Sequence, residues 1–359
     1  MKVSSSEFGR IDGSPVTRFT VSNVAGYSIT CMDYGATLID VKAPDRDGRV
    51  ETITLGYDDF EPYAAGHPFF GSTVGRVANR IGGARFSLNG ATITVDQNEG
   101  ANTLHGGAGG FHTKMWSAAP FERDTLAGVF FHLESPAGDQ GFPGNVGVTV
   151  SICLTEENEI VFEYRAESDE PTPLNLTNHS YWNLLGAPDL VRAAGSAKLA
   201  PPEKGGAIAD HELVIYGSHY IYVDDASIPT GEIPEVRGTG YDFTGKCTIG
   251  ERIEQVGGYD LSYVLQNAEH ELRRAASAYH PESGRSMEVL TTCPAVQFYT
   301  GEKLSGVPGR GGQRLEKRDA FCLETQYHPD AVNHEHFPSI ILEPEEVYQE
   351  KTIHRFSVS

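Results

Sequence analysis

A histidine set between hydrogen-bonding and aromatic neighbours is the first feature with chemical promise. In NLTNHSYWNLLG, residues 175 to 186, His179 is flanked by Asn178, Ser180, Tyr181 and Trp182. Amides and hydroxyls beside flat apolar rings suit a sugar, which has polar edges and apolar faces. Histidine also exchanges protons near neutrality, with a reference pKa of about 6.5. A carboxylate in a matching context occurs in FCLETQYHPDAVNH, residues 321 to 334, where Glu324 follows Phe321, Cys322 and Leu323. Such a run reads as a rigid strand able to present the carboxylate to a cleft. Gln297, in AVQFYTGE, has the same strand-like setting. In GGYDLSYVL, Asp260 abuts the apolar alternation of Leu261, Tyr263 and Leu265, and an ionised side chain there must face solvent or find a partner.

Two further segments place polar groups among small residues. GRVANRIGG, residues 75 to 83, holds Asn79 and Arg80; an arginine fork can clamp vicinal oxygens or serve a structural ion pair. NTLHGG, residues 102 to 107, sets His105 before two glycines that let the backbone approach a bound group, although a turn histidine would look the same. His328, His334 and His336 cluster with Glu335, but the Pro, Asn and Asp around them read as a solvated loop, so no metal is expected. A Gly-x-Ser-x-Gly elbow, a phosphate loop and a dinucleotide fingerprint are absent.

Strands are the elements that must position these groups. Val146, Val148, Val150, Ile152 and Leu154 alternate, and after Glu156-Glu157-Asn158-Glu159 the pattern resumes with Ile160, Phe162 and Tyr164: a hairpin with one buried face. Phe86 and Leu88 lead through Asn89-Gly90 to Ile93 and Val95, a second hairpin with a tight turn. Val74, Val77, Ala78 and Ile81 have helix-like spacing in a stretch too short to decide. Forty Gly, twenty Pro and 33 Phe and Tyr in 359 residues favour strands and turns over a helical bundle. The expected architecture is all-β, a large antiparallel sandwich forming one domain over residues 1–359, with Ala187 to Gly206 as the nearest thing to an inserted loop.

A net charge of −21 opposes attraction to phosphate backbones and anionic lipid, so neither nucleic acid nor membrane is an expected partner. Cys31, Cys153, Cys247, Cys293 and Cys322 are widely spaced and odd in number, which reads as reduced, buried thiols. The first residues lack an apolar leader, and no apolar run approaches the roughly 20 residues of a membrane span. A cytoplasmic location is expected.

In order, GRVANRIGG, NTLHGG, NHSYWNLLG, IPTGEI (228 to 233), GGYDLSYVL, AVQFYTGE and FCLETQYHPDAVNH closely resemble the aldose 1-epimerase family, the galactose mutarotases. Seven short motifs in one order make coincidence improbable. The resemblance implies a large antiparallel β-sandwich acting without a cofactor on a monosaccharide, as a monomer or homodimer. By the same resemblance, Glu324 corresponds to the general base and His179 to the general acid. Asn79, Arg80, His105, Asp260 and Gln297 fall on positions similar to the sugar-binding set. Trp182, beside the acid, is expected to cover a sugar face.

The implied reaction interconverts α and β anomers of aldohexoses such as D-galactose and D-glucose. A base takes the C1 hydroxyl proton, an acid protonates the ring oxygen, the ring opens, and rotation presents the other carbonyl face. Glu324 would start ionised and His179 protonated, with Asp260 raising the histidine pKa and a bell-shaped pH profile as the consequence. Many relatives carry His where this chain has Leu261, and the Ala187 to Lys204 stretch is longer than the usual connection; both bear on substrate range. Competing readings are a glycoside hydrolase using Asp260 and Glu324, and a non-catalytic sugar-binding or regulatory protein on the same scaffold.

Overall fold

Two-residue alternation builds the largest sheet. Val146, Val148, Val150 and Ile152 are all fully buried, as is Ile160 across the hairpin, because the strand Val146–Thr155 pairs antiparallel with Glu159–Ser168 and one face of both meets the core. The computed structural model describes residues 1–186, 206–265 and 271–359; the Ala187 to Lys204 stretch lies outside the described residues. Nine strands run in this sheet in the order Ser117–Glu122, Leu126–Ser135, Val146–Thr155, Glu159–Ser168, Tyr348–Val358, Arg285–Thr291, Arg273–Tyr279, Glu212–Ile215 and Cys247–Thr248. The last strand of the chain is thus laid into the middle of the sheet.

A five-stranded meander made by residues 2–52 covers the inner face. Phe19 and Val21 from its second strand join Val129, Phe131, Val150 and Ile152 in one core cluster, with the Phe19 and Phe131 rings edge to face at 6.2 Å. Burying each such side chain contributes about 1.5–3 kcal/mol. The result is the all-β antiparallel sandwich that the alternation predicts. The second predicted hairpin also forms: Arg85–Leu88 pairs with Ala91–Thr94, and Asn89 and Gly90 take φ of 51° and 78° at its turn.

The stretch from Val74 to Ile81 is not helical: short strands at its two ends flank a bent segment in which Asn79 takes φ 60°. Thr73–Val74 pairs with Thr177–Asn178, and Arg80–Ile81 pairs with Thr103–Leu104. Close packing here depends on glycine, since a Cβ on Gly106 (φ 82°) would stand 2.1 Å from the Gly75 carbonyl oxygen. All five cysteines are free; four are buried and Cys247 is half-buried.

A four-stranded sheet of His219–Tyr220, Asp260–Val264, Ala295–Tyr299 and Cys322–Gln326 carries the chemistry. Its register makes two faces. Leu261, Phe298 and Leu323 stand opposite one another and enter the core. On the other face Asp260, Tyr299 and Cys322 form one rung, and Ser262, Gln297 and Glu324 form the next.

Candidate active site

That second face is the floor of a cleft of about 380 Å³, lined by all seven residues singled out from the sequence: Asn79, Arg80, His105, His179, Asp260, Gln297 and Glu324. A larger groove of about 980 Å³ crosses the large sheet near Thr149, Arg165 and Val347 and holds none of them. Glu324 is 2% exposed and Gln297 is 4% exposed. Gln297 donates its amide N–H to Asp260 Oδ1 at 2.7 Å. Among the described residues, Gln297 Oε1 and Glu324 Oε2 have no hydrogen-bond partner. Buried oxygens of this kind cost stability unless a ligand's hydroxyls meet them.

His179 is fixed from above and below. Its backbone N–H donates to Ser72 O at 3.0 Å and its carbonyl accepts from the Gly71 N–H at 2.9 Å. The ring lies stacked between Tyr181, at 5.0 Å and 12°, and Phe69, at 5.7 Å and 16°. Its Nδ1 meets Cys322 Sγ at 3.6 Å, and its Nε2 stands 3.6 Å from Glu324 Oε2. A histidine and a carboxylate therefore face one small space.

Two loops from the short paired strands make the next wall. The Asn79 N–H donates to His105 Nδ1 at 3.2 Å while the His105 N–H donates to Asn79 O at 2.9 Å. Asn79 turns its side-chain oxygen onto the Arg80 N–H at 2.9 Å. Arg80 grips both oxygens of Glu99, at 2.5 and 3.0 Å, and Lys303 Nζ donates to the same carboxylate at 2.8 Å. Arg80 thus forms an ion pair and also lines the cleft, and the pair orients its fork there. Arg80 and Lys303 hold Glu99 below the ordinary glutamate pKa despite its partial burial.

Burial sets the proton affinities of the floor. It lowers His179 to about 3 and pushes His105 well down, with His179 and Arg80 adding repulsion. Burial raises Glu324 well above a normal carboxylate, helped by Asp260 and opposed by Arg80, and raises Asp260 against the pull of Arg80. Burial thus disfavours the charged form of both Glu324 and His179, and desolvation outweighs any carboxylate pull on His179.

His105, His179 and Glu324 bring ligand atoms within 4.8 Å of one another, a set with the composition of a metal site. The donor chemistry does not fit. A backbone N–H occupies His105 Nδ1, so the neutral ring carries its proton on Nε2 and neither nitrogen offers a free lone pair. The other histidine cluster binds carbonyls instead, His334 Nε2 that of Pro229 at 3.1 Å and His336 Nε2 that of Gly231 at 2.9 Å.

Two expectations are corrected. Trp182 is fully buried in the core against His354 and Phe356, because its backbone exchanges both hydrogen bonds with Phe321 and bridges to Thr54, which turns the ring away from the cleft. Leu261 faces the core from the back of the floor and touches no ligand space. The aromatic wall is instead Phe69, at φ 61°, together with Tyr181 and Tyr299. The sequence reading passed over Phe69, His67, Tyr299, Lys303 and Glu99; the one local signal was an aromatic pair between Pro68 and Gly71, just before GRVANRIGG.

A family model for aldose 1-epimerase matches residues 17–355. The chain belongs to the aldose 1-epimerase family. A galactose mutarotase of Bos taurus is 40% identical over 334 residues, covering 92% of this chain and 91% of its own. An aldose 1-epimerase of Escherichia coli is 36% identical over 353 residues, with 96% of each chain covered. A solved aldose epimerase homologue from C. elegans superposes with a TM-score of 0.83 at 27% identity, covering 94% of this chain and 98% of that one. With membership of the aldose 1-epimerase family comes the reaction class: the chain is an isomerase. No helix among the described residues is long and apolar enough to cross a membrane.

Proposed function

We propose that this chain interconverts the α and β anomers of free aldohexoses, D-galactose and D-glucose foremost, with Glu324 and His179 moving the protons. The observation that carries the reading is the pair itself: two buried side chains with facing atoms 3.6 Å apart in a cleft of hexose size. Glu324 takes the C1 hydroxyl proton while His179 protonates the ring oxygen, and the ring opens to the aldehyde. Rotation about the C1–C2 bond and the reverse transfers close the other anomer.

Ring opening leaves the proton on Glu324 and His179 neutral, the uncharged arrangement that burial favours. Arg80, His105 and Asn79 supply donors to the sugar hydroxyls, while Asp260 and Gln297 supply acceptors. Phe69 and Tyr181 hold the His179 ring between them. Every step uses groups of one copy, so monomer and homodimer serve alike, with the whole chain as one catalytic unit and no cofactor. Unpaired thiols suit the reducing cytosol, the proposed location.

Polarimetry of freshly dissolved α-D-galactose and α-D-glucose from about pH 5 to 9 tests this, a range that brackets a free histidine. Wild type should speed equilibration while Glu324→Gln and His179→Asn should not. A wild type that binds sugar yet matches the buffer blank would leave only the sugar-binding reading.

A further inference from the structure

One ring nitrogen in the cleft wall has no use so far. His67 lines the cleft with Phe69 and His179, and its Nδ1 accepts the Phe70 backbone N–H at 2.9 Å. A backbone N–H can only donate, so the neutral His67 ring carries its hydrogen on Nε2. The ring is clamped edge to face by Tyr63 at 5.0 Å and Tyr57 at 6.2 Å. Burial lowers its pKa to about 3, with His112 and His179 adding repulsion, so it stays neutral at working pH. No protein group among the described residues accepts from Nε2, and solvent reaches that atom.

Position then decides what it reads. His67 lies on the His179 side: Phe70 packs edge to face on Tyr181 at 5.0 Å, and Tyr181 stacks on His179. In the mechanism above, His179 faces the ring oxygen, and the substituent beside that oxygen at C5 is the hydroxymethyl group. We infer that His67 Nε2–H donates to the C6 hydroxyl of the bound hexose and sets the preference for hexoses over sugars lacking that hydroxyl. Nothing charged is needed, because a neutral donor matches a neutral hydroxyl. A site built to meet a hydroxyl discriminates against the sugar without it, since its donor is then left unpaired.

The inference rests on the mutarotase reading, and the experiment separates the two. Mutarotation of D-galactose and 6-deoxy-D-galactose is measured with wild type, His67→Phe and His67→Gln. One neutral hydrogen bond predicts a wild-type KM about 3- to 10-fold higher for the deoxy sugar. In His67→Phe the galactose KM should rise to meet it with kcat unchanged. His67→Gln, which can accept from Phe70 and still donate, should restore the gap. Equal KM for the two sugars in wild type, or a gap that persists in His67→Phe, overturns the inference while leaving mutarotation intact. A fall in kcat for both sugars in both variants would assign His67 a structural role and overturn it too. Failure of wild type to turn over either sugar would instead remove the reading beneath it.

Discussion

Replacing Glu324 by Gln should cost activity and raise stability together. Loss of a positioned base lowers rate by about 100- to 10,000-fold, roughly 2.7 to 5.4 kcal/mol in barrier. The stability change has the opposite sign. The carboxyl is 2% exposed, one oxygen has no partner, and burial raises its pKa above the unfolded value of about 4.3. Above that pH the unfolded chain ionises freely and the folded chain resists, so Glu324 destabilises the fold, increasingly until pH reaches the folded pKa. Each pH unit between the unfolded and folded pKa costs the fold about 1.4 kcal/mol. For 359 residues the unfolding entropy is roughly 0.75 kcal/mol/K, which turns that into a Tm gain of about 2 °C per pH unit for the amide. Paired polarimetry and calorimetry from about pH 4 to 9 read both effects, with the Tm gain vanishing near pH 4, where both states are protonated. Activity above a tenth of wild type would place the base elsewhere. A Tm difference of zero or below at alkaline pH would refute the argument from burial.

Other expectations concern the walls. Glu99→Gln should raise the sugar KM about 3- to 10-fold by freeing Arg80 and Lys303 from their charge-assisted bonds. In wild type the same KM should stay level as pH falls through the ordinary glutamate range and rise only below it, since Glu99 has a depressed pKa and its pair is lost as pH falls through that value. Gly106→Ala brings a Cβ to 2.1 Å from a carbonyl at positive φ; a Tm lower by about 3 °C or more, with weaker sugar binding, should appear in calorimetry and kinetics. Phe69→Ala should lower kcat/KM with little change in Tm. Trp182→Ala should do the reverse, costing about 3–5 kcal/mol of stability by leaving a core cavity, as denaturant melts would show.

Where sequence neighbours are also spatial neighbours, the chain could be read directly. The hairpins at Asn89-Gly90 and after Leu154 follow from alternation and turn chemistry, which act over a few residues. The seven residues that line the cleft could be picked out because each sits in a short motif whose composition packing alone would not favour. Trp182 was misplaced because adjacency along a strand puts successive side chains on opposite sides. The same rule, applied to Asp260-Leu261-Ser262, sends Leu261 away from the cleft, so this error was avoidable from sequence. Phe69 was not foreseeable: nothing local announces a positive φ at a phenylalanine, and its value lies in His179, 110 positions away. Proton affinities were equally hidden, since burial is a property of the assembled fold.

The contact between the Asn79 N–H and His105 Nδ1 has a bearing on how such a site can drift through mutation. The group that dictates which nitrogen of the imidazole is hydrogenated belongs to the main chain, so exchanging the side chain at position 79 leaves the dictate in place. Only proline, which lacks that hydrogen, would erase it. What the ring offers a sugar is thereby inherited with the pairing of Arg80–Ile81 and Thr103–Leu104. Position 79, held at φ 60°, can exchange its side chain among the few residues that accept that conformation, Asn, Asp and Gly, without retuning its neighbour.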